Sequence, residues 1–138
     1  RLGSSVSARY APADRREIRI VKDPHGRFLV DGLINGQPVR FLVDTGASTI
    51  AMGEAQAEQL GLQHRVEGRL IGVGTASGNA VGHALKLKSA SVAGVRLRDV
   101  GAVVISGSGP RYVLLGMNVL SRFDMDQRDN LLILRSKR

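Results

Sequence analysis

The chain has no cysteine among its 138 residues. That excludes disulfides, thiol nucleophiles and zinc sites built on Cys, and it says little about compartment. Aromatic residues are nearly as scarce, with three Phe, two Tyr and no Trp. The formal charge of +8 invites a nucleic-acid reading, but the side chains on which unstacked bases would lie are missing. Arg1, Arg9, Arg15, Arg16, Arg135, Lys137 and Arg138 all stand near the two ends, so the charge reads as solvated tails and faces, and no nucleic-acid partner is expected. No apolar run approaches the ~20 residues that cross a bilayer as a helix. No secretory leader is visible, and any targeting segment is expected upstream of Arg1.

Glycine is plentiful, with 17 residues set among short β-branched runs. At this length a single domain with a real core is expected, and the composition points to a mostly β fold with tight turns. Residues 1–16 are small, polar and basic without periodicity and read as a flexible arm or linker; the domain is expected over 17–138. Glu17 to Val21 alternates as a first strand. Arg27 to Ile34 and Gln37 to Val43 flank Asn35-Gly36, a pair suited to a type I′ turn, and predict a hairpin. Short strands are expected at Thr49–Met52, His83–Leu87, Ser91–Leu97 with Gly94 in a turn, Val100–Ile105 and Leu131–Leu134. Helix formers occupy Glu54 to Leu60, with Gly61 as a stop, and Met117 to Phe123 reads as helical. Ser106 to Pro110 reads as a flexible loop.

The second strand of that hairpin ends in Phe41-Leu42-Val43-Asp44-Thr45-Gly46-Ala47-Ser48. An apolar run delivers one carboxylate into a sharp loop, where it costs several kcal/mol unless solvated, paired or neutralised. Taken alone, Asp44 could be an Asx-turn or cap at a strand end. Paired aspartates offer a chemical use: one acts as base toward a water while the other, protonated, polarises a peptide carbonyl. Two such charges about 3 Å apart repel by roughly 5 kcal/mol at an effective dielectric near 20. That separates the two macroscopic pKa values by about four units and keeps the pair singly protonated over acid to mildly acid pH.

Leu42 to Ser48 resembles the active-site motif of retropepsin-like aspartic proteases, apolar-apolar-Asp-Thr/Ser-Gly-Ala/Ser. Val113-Leu114-Leu115-Gly116-Met117-Asn118 is similar to the family's second signature, and the Gly-rich stretch 72–82 sits where the family has its flap. The resemblance spans roughly 27–134 and is nearest to the single-domain bacterial branch. It implies a closed antiparallel β-barrel-like retropepsin (acid protease) fold with one short helix after Gly116. It implies an aspartic endopeptidase in which Asp44 is catalytic, Thr45 and Gly46 support the active-site loop, and Ala47 and Ser48 bind substrate. Gly72, Val73, Gly74, Thr75, Ala76, Ser77 and Gly78 would form the flap over an extended peptide. With one such motif per chain, the second carboxylate must come from a homodimer partner. No cofactor and no metal are implied. The resemblance also suggests a periplasmic domain, tethered to the inner membrane by a segment outside this chain. The alternative from another class is a non-catalytic peptide-binding or dimerisation module of the same fold.

Other motifs fare worse. Gly72 to Gly78 does not match G-x-G-x-x-G, lacks a following Lys-Ser/Thr and precedes strand-like residues, against a nucleotide loop. Asp124, Asp126 and Asp129 lack the Gly and terminal Glu of a calcium loop. His25, His64 and His83 have no ligand spacing. No Ser stands in a nucleophile-elbow setting.

Overall fold

The computed structural model describes residues 16–75, 78–107 and 109–137. Most of the expected arm (1–15), together with Ala76 and Ser77 of the expected flap, lies outside the described residues. The elements in order are β1 (Glu17–Val21), β2 (Leu29–Ile34), β3 (Gln37–Val43), β4 (Ile50–Gly53), α1 (Glu54–Gln59), α2 (His64–Glu67), β5 (Arg69–Thr75), β6 (Gly78–Val92), β7 (Val95–Ile105), β8 (Val113–Leu115), α3 (Met117–Leu120), β9 (Phe123–Arg128) and β10 (Leu131–Ser136).

The larger sheet runs β2-β3-β8-β4-β7-β6-β5, and β2 also pairs with β6. Six strands therefore close into a barrel, and β5 hangs outside it on β6 alone. The pairings are mostly antiparallel; β3–β8 and β4–β7 are parallel. Parallel neighbours need long connections. These two are joined by chain that passes through other parts of the barrel. The fold is thus the mostly β, closed barrel that the resemblance implies.

The predicted hairpin closes on Asn35 and Gly36 at φ 50° and 79°, with Val30 opposite Phe41. Asn35 does a second thing that local pattern does not reveal. Its N–H donates to the Ser89 carbonyl at 2.9 Å, and its Oδ1 accepts the Ser89 N–H at 3.1 Å. That exchange ties the turn to β6 where the barrel closes.

The residues expected as strands over His83–Leu87 and Ser91–Leu97 are divided differently: the 15-residue β6 runs unbroken through Ser89 to Val92, and Val95 to Leu97 open β7. Ser89 is buried against Asn35, and pairing on both edges keeps β6 extended there. The turn after it falls on Ala93-Gly94, both at positive φ. The helix after Gly116 ends at Leu120, shorter than the predicted 117–123, because Phe123 is drawn into β9 and buried. A one-turn helix, α2, was not expected.

Inside the barrel, Phe41, Ile50, Met52, Leu87, Val104, Leu115 and Leu120 are fully buried. Each such side chain contributes about 1.5–3 kcal/mol of apolar transfer free energy. A separate three-stranded antiparallel sheet, β1-β10-β9, brings the two ends of the domain together and sends Leu132 and Leu134 into the same core.

Candidate active site

Strands β3 and β8 lie parallel, with Val43 beside Leu115. Just beyond them the Asp44 N–H donates to the Leu115 carbonyl at 3.1 Å. Asp44 is thereby pinned as the sheet ends. Its carbonyl accepts the Ala47 N–H at 3.2 Å, and its Oδ1 accepts the Gly46 N–H at 2.9 Å. The last bond is an Asx-turn. The Asx-turn does not exclude a chemical role for Asp44, since the turn itself orients the carboxyl group. The Gly46 N–H engages Oδ1 and does not use Oδ2.

The second signature backs this loop. Met117 N–H donates to Ala47 O at 2.8 Å and Asn118 N–H to Ser48 O at 3.0 Å. A Cβ on Gly116 would lie 2.2 Å from the Thr49 carbonyl oxygen, so only glycine lets the two backbones meet. Asn118 adds a side-chain tie from Nδ2 to the Gly101 carbonyl at 2.9 Å, with its Oδ1 buried and unpartnered among the described residues.

Asp44, Gly46, Ala47 and Ser48 line a cleft of about 1020 Å³. So do Ile71 to Thr75 of β5 and Asn79 and Ala80 of β6. The structure thus brings the Asp44 loop and the flap-like hairpin onto one space. Thr45 is exposed and outside the lining, and Gly78 turns the hairpin at φ 118° without lining it. Five consecutive residues of β5 face the cleft, which requires its backbone and not only alternate side chains to be presented there. β5 is an edge strand, so one row of its N–H and C=O groups has no strand beside it among the described residues. At the tip the Thr75 hydroxyl donates to the Gly78 carbonyl at 2.6 Å.

Apart from Leu114 of the second signature and Thr49 beside the Asp44 loop, the rest of the lining was not legible as part of a site. Ala51, Val103, Ile105 and Leu114 come from the barrel, and Ser106, Gly109 and Pro110 from the loop after β7. Among the described lining residues Asp44 is the only charged one. Its carboxylate therefore shares this space with apolar and small neutral groups.

Behind the hairpin lies a second charged group. Glu54, at the start of α1, accepts from Arg65 Nη2 at 2.7 Å, pairs with His64 Nε2 at 3.2 Å, and receives the Gly107 N–H at 3.4 Å. These partners, Arg65 first, hold the Glu54 carboxyl down at about 2. His64 is buried, and its ring stands edge-on to His83, with centroids 5.6 Å apart. Nothing in the spacing of these histidines foretold their meeting, which depends on α2 packing on β6.

Comparison with known proteins agrees with this geometry. Residues 30–122 match the family described as "gag-polyprotein putative aspartyl protease". An uncharacterized protein in the cobV 5'region of Sinorhizobium sp is 33% identical over 113 residues, 82% of this chain and 48% of that protein. DNA damage-inducible protein 1 of Yarrowia lipolytica is 33% identical over 94 residues, 65% of this chain and 22% of that protein. The chain thus spans about half the length, or less, of the curated relatives it matches. Among solved structures, a retropepsin-like aspartic protease from Rickettsia conorii superposes with a TM-score of 0.73 at 27% identity, over 89% of this chain and 92% of that one. The EIAV protease complexed with the inhibitor HBY-793 shares the fold, with a TM-score of 0.55 at 24% identity over 72% of this chain and 89% of that one.

Proposed function

The chain belongs to the retropepsin-like aspartic protease family, and from that membership we propose that it is an aspartic endopeptidase acting as a homodimer. The observation that carries the reading is the shared cleft. The one carboxylate in its lining, oriented by the Gly46 N–H, faces the same space as an edge-strand hairpin.

Asp44 is the catalytic residue in this proposal. Each chain supplies one Asp-Thr-Gly loop, so a two-fold axis beside the loop would bring two Asp44 carboxyls together. They would share one proton. The ionised Asp44 takes a proton from a water as its oxygen bonds to the peptide carbonyl carbon. The protonated Asp44 gives its proton to the carbonyl oxygen. Collapse of the tetrahedral adduct breaks the C–N bond while a carboxyl returns a proton to the leaving nitrogen. No acyl-enzyme forms. Thr45 is exposed and outside the cleft, which leaves its hydroxyl available to the partner's loop. Ala47 and Ser48 would lie along the peptide, and the open edge of β5 would add the substrate as a further strand. Closure of that hairpin would exclude water from the reacting groups.

The test is Asp44→Asn, purified beside the parent and offered a peptide library at pH about 4 to 6. Loss of cleavage by at least about 1,000-fold is expected, because the variant lacks the ionisable pair. Equal cleavage by both proteins would sink the role of Asp44, and a parent that binds the peptides without cutting them would leave the domain as a peptide-binding or dimerisation module. Sedimentation of the parent should show a dimer that a statine-type peptide analogue stabilises. The proposal extends to a periplasmic domain tethered outside this chain, in keeping with the basic residues at 1–16. Recovery of the full-length protein in the cytoplasmic soluble fraction would remove that part.

A further inference from the structure

The loop between β7 and β8 supplies Ser106, Gly109 and Pro110 to the cleft. Its composition gives it little shape of its own, and Gly107 sits at φ 78°. Its position is imposed from α1. Gln56 Nε2 donates to the Pro110 carbonyl at 3.1 Å and to the Arg111 carbonyl at 2.5 Å. Gln56 Oε1 accepts the Gly53 N–H at 2.7 Å, so the same amide also caps the helix. The two backbones it joins are in contact, since a Cβ on Gly109 would lie 2.4 Å from the Gly53 Cα.

We propose that Gln56 is a positioning residue for substrate preference: its amide holds the loop after β7 at a set distance from the Asp44 loop, and so decides which side chains fit beside the scissile bond. The inference rests on the peptidase reading above. Its chemistry is specific to a primary amide, which alone offers one acceptor and two donors on a single neutral group. A carboxylate at this position keeps the acceptor for Gly53 N–H but turns lone pairs toward two carbonyl oxygens. Gln56→Glu therefore keeps the helix cap and breaks the loop tie. Gln56→Met breaks both.

Three quantities separate the possibilities. The first is the melting temperature. The second is hydrogen exchange at the Ser106, Gly107 and Gly109 amides. The third is the ranking of a peptide panel that differs only beside the scissile bond, read both as kcat/KM and as affinity of matching statine-type analogues. At pH 6, Gln56→Glu should melt below the parent but above Gln56→Met, because it loses the loop tie and keeps the helix cap. Its loop amides should exchange about tenfold faster, the scale of two lost ordinary hydrogen bonds. Panel preferences should change by a similar factor, with KM moved more than kcat. Near pH 3.5 a protonated Glu, with an ordinary pKa of about 4.3, again has an O–H to donate, and the ranking should return part of the way. Gln56→Met should show the same altered ranking without any return, and a lower melting temperature.

Unaltered loop exchange in Gln56→Glu overturns the proposal, as does faster exchange with a parent-like ranking. Analogue binding with an altered ranking but no cleavage by the parent would leave this inference standing and remove the peptidase reading. A parent that neither cuts nor binds any of the panel overturns both.

Discussion

Two glycine-containing segments face the same cleft and are held on opposite terms. Around Asp44, backbone groups are claimed by a neighbouring segment: Asp44 N–H by Leu115, Ala47 O by Met117 and Ser48 O by Asn118. Gly116 is there because its backbone touches Thr49. The hairpin β5–β6 has one neighbour for β5 and open space around Gly72 and Gly74, where an added Cβ would meet nothing within 4 Å. A misplacement of about 1 Å in a reacting group can cost a hundredfold in rate. A hairpin that closed over a substrate would instead have to move. The same residue type thus serves contact at position 116 and freedom at 72 and 74. Between the two regions, Glu54 joins α2 at the base of the hairpin to the loop after β7.

The contrast breaks most visibly at Gly116. Gly116→Ala forces a methyl into the Thr49 carbonyl, so a loss of more than about 4 kcal/mol is expected, at the severe end for one substitution. Chemical denaturation would measure it, and a change under 1 kcal/mol would mean the loop is not tightly backed. Asn118→Ala comes next. It leaves the Gly101 carbonyl without its donor, at an expected cost of about 1–3 kcal/mol. A neutral result would mean water replaces the amide at no cost.

Gly74→Ala should go the other way in stability. Its φ is not positive and its surroundings are open, so a gain of up to about 1 kcal/mol is expected from a less flexible unfolded chain. Peptide turnover should fall at the same time, because the flap stiffens; unchanged turnover would show that motion at Gly74 is not used.

Glu54→Gln should have the smallest effect on folding, and one that depends on pH. Glu54 has a folded pKa of about 2 against an ordinary value of 4.5. Its stabilisation is therefore complete above about 4.5 and declines as pH falls toward 2. Melting curves of parent and variant should differ at pH 7 and converge near pH 2. A constant difference across that range would mean the Arg65 and His64 contacts do not form in solution.

Legibility followed sequence distance. Asn35-Gly36 dictates its hairpin through φ values that few residue pairs accept, and Asp44 follows at a set register seven residues from Gln37 onward. The Leu114-Leu115-Gly116 run was legible only through its likeness to the family's second signature, since apolar residues before a glycine do not by themselves say what they pack behind. The bond from Asn35 to Ser89 was not legible, since nothing local tells a turn asparagine which distant strand it will meet. The His64–His83 contact and the Gln56 tie were hidden for the same reason. Gln56 in isolation is only a good helix former, and the loop it holds looks shapeless because its order comes from outside.

The sequence by itself determined the local setting of Asp44: a carboxylate at a strand end, in a Thr-Gly loop. These are properties of neighbouring residues, whose backbone preferences and side-chain chemistry act over a few bonds. Only the tertiary structure decided what shares a space with that carboxylate. The flap hairpin, the barrel residues Val103 and Leu114 and the loop after β7 reach one cleft because β6 pairs with β2 and closes the barrel. Such closure is selected by the joint burial of apolar side chains and the pairing of every buried backbone group, and neither quantity belongs to any one stretch of chain.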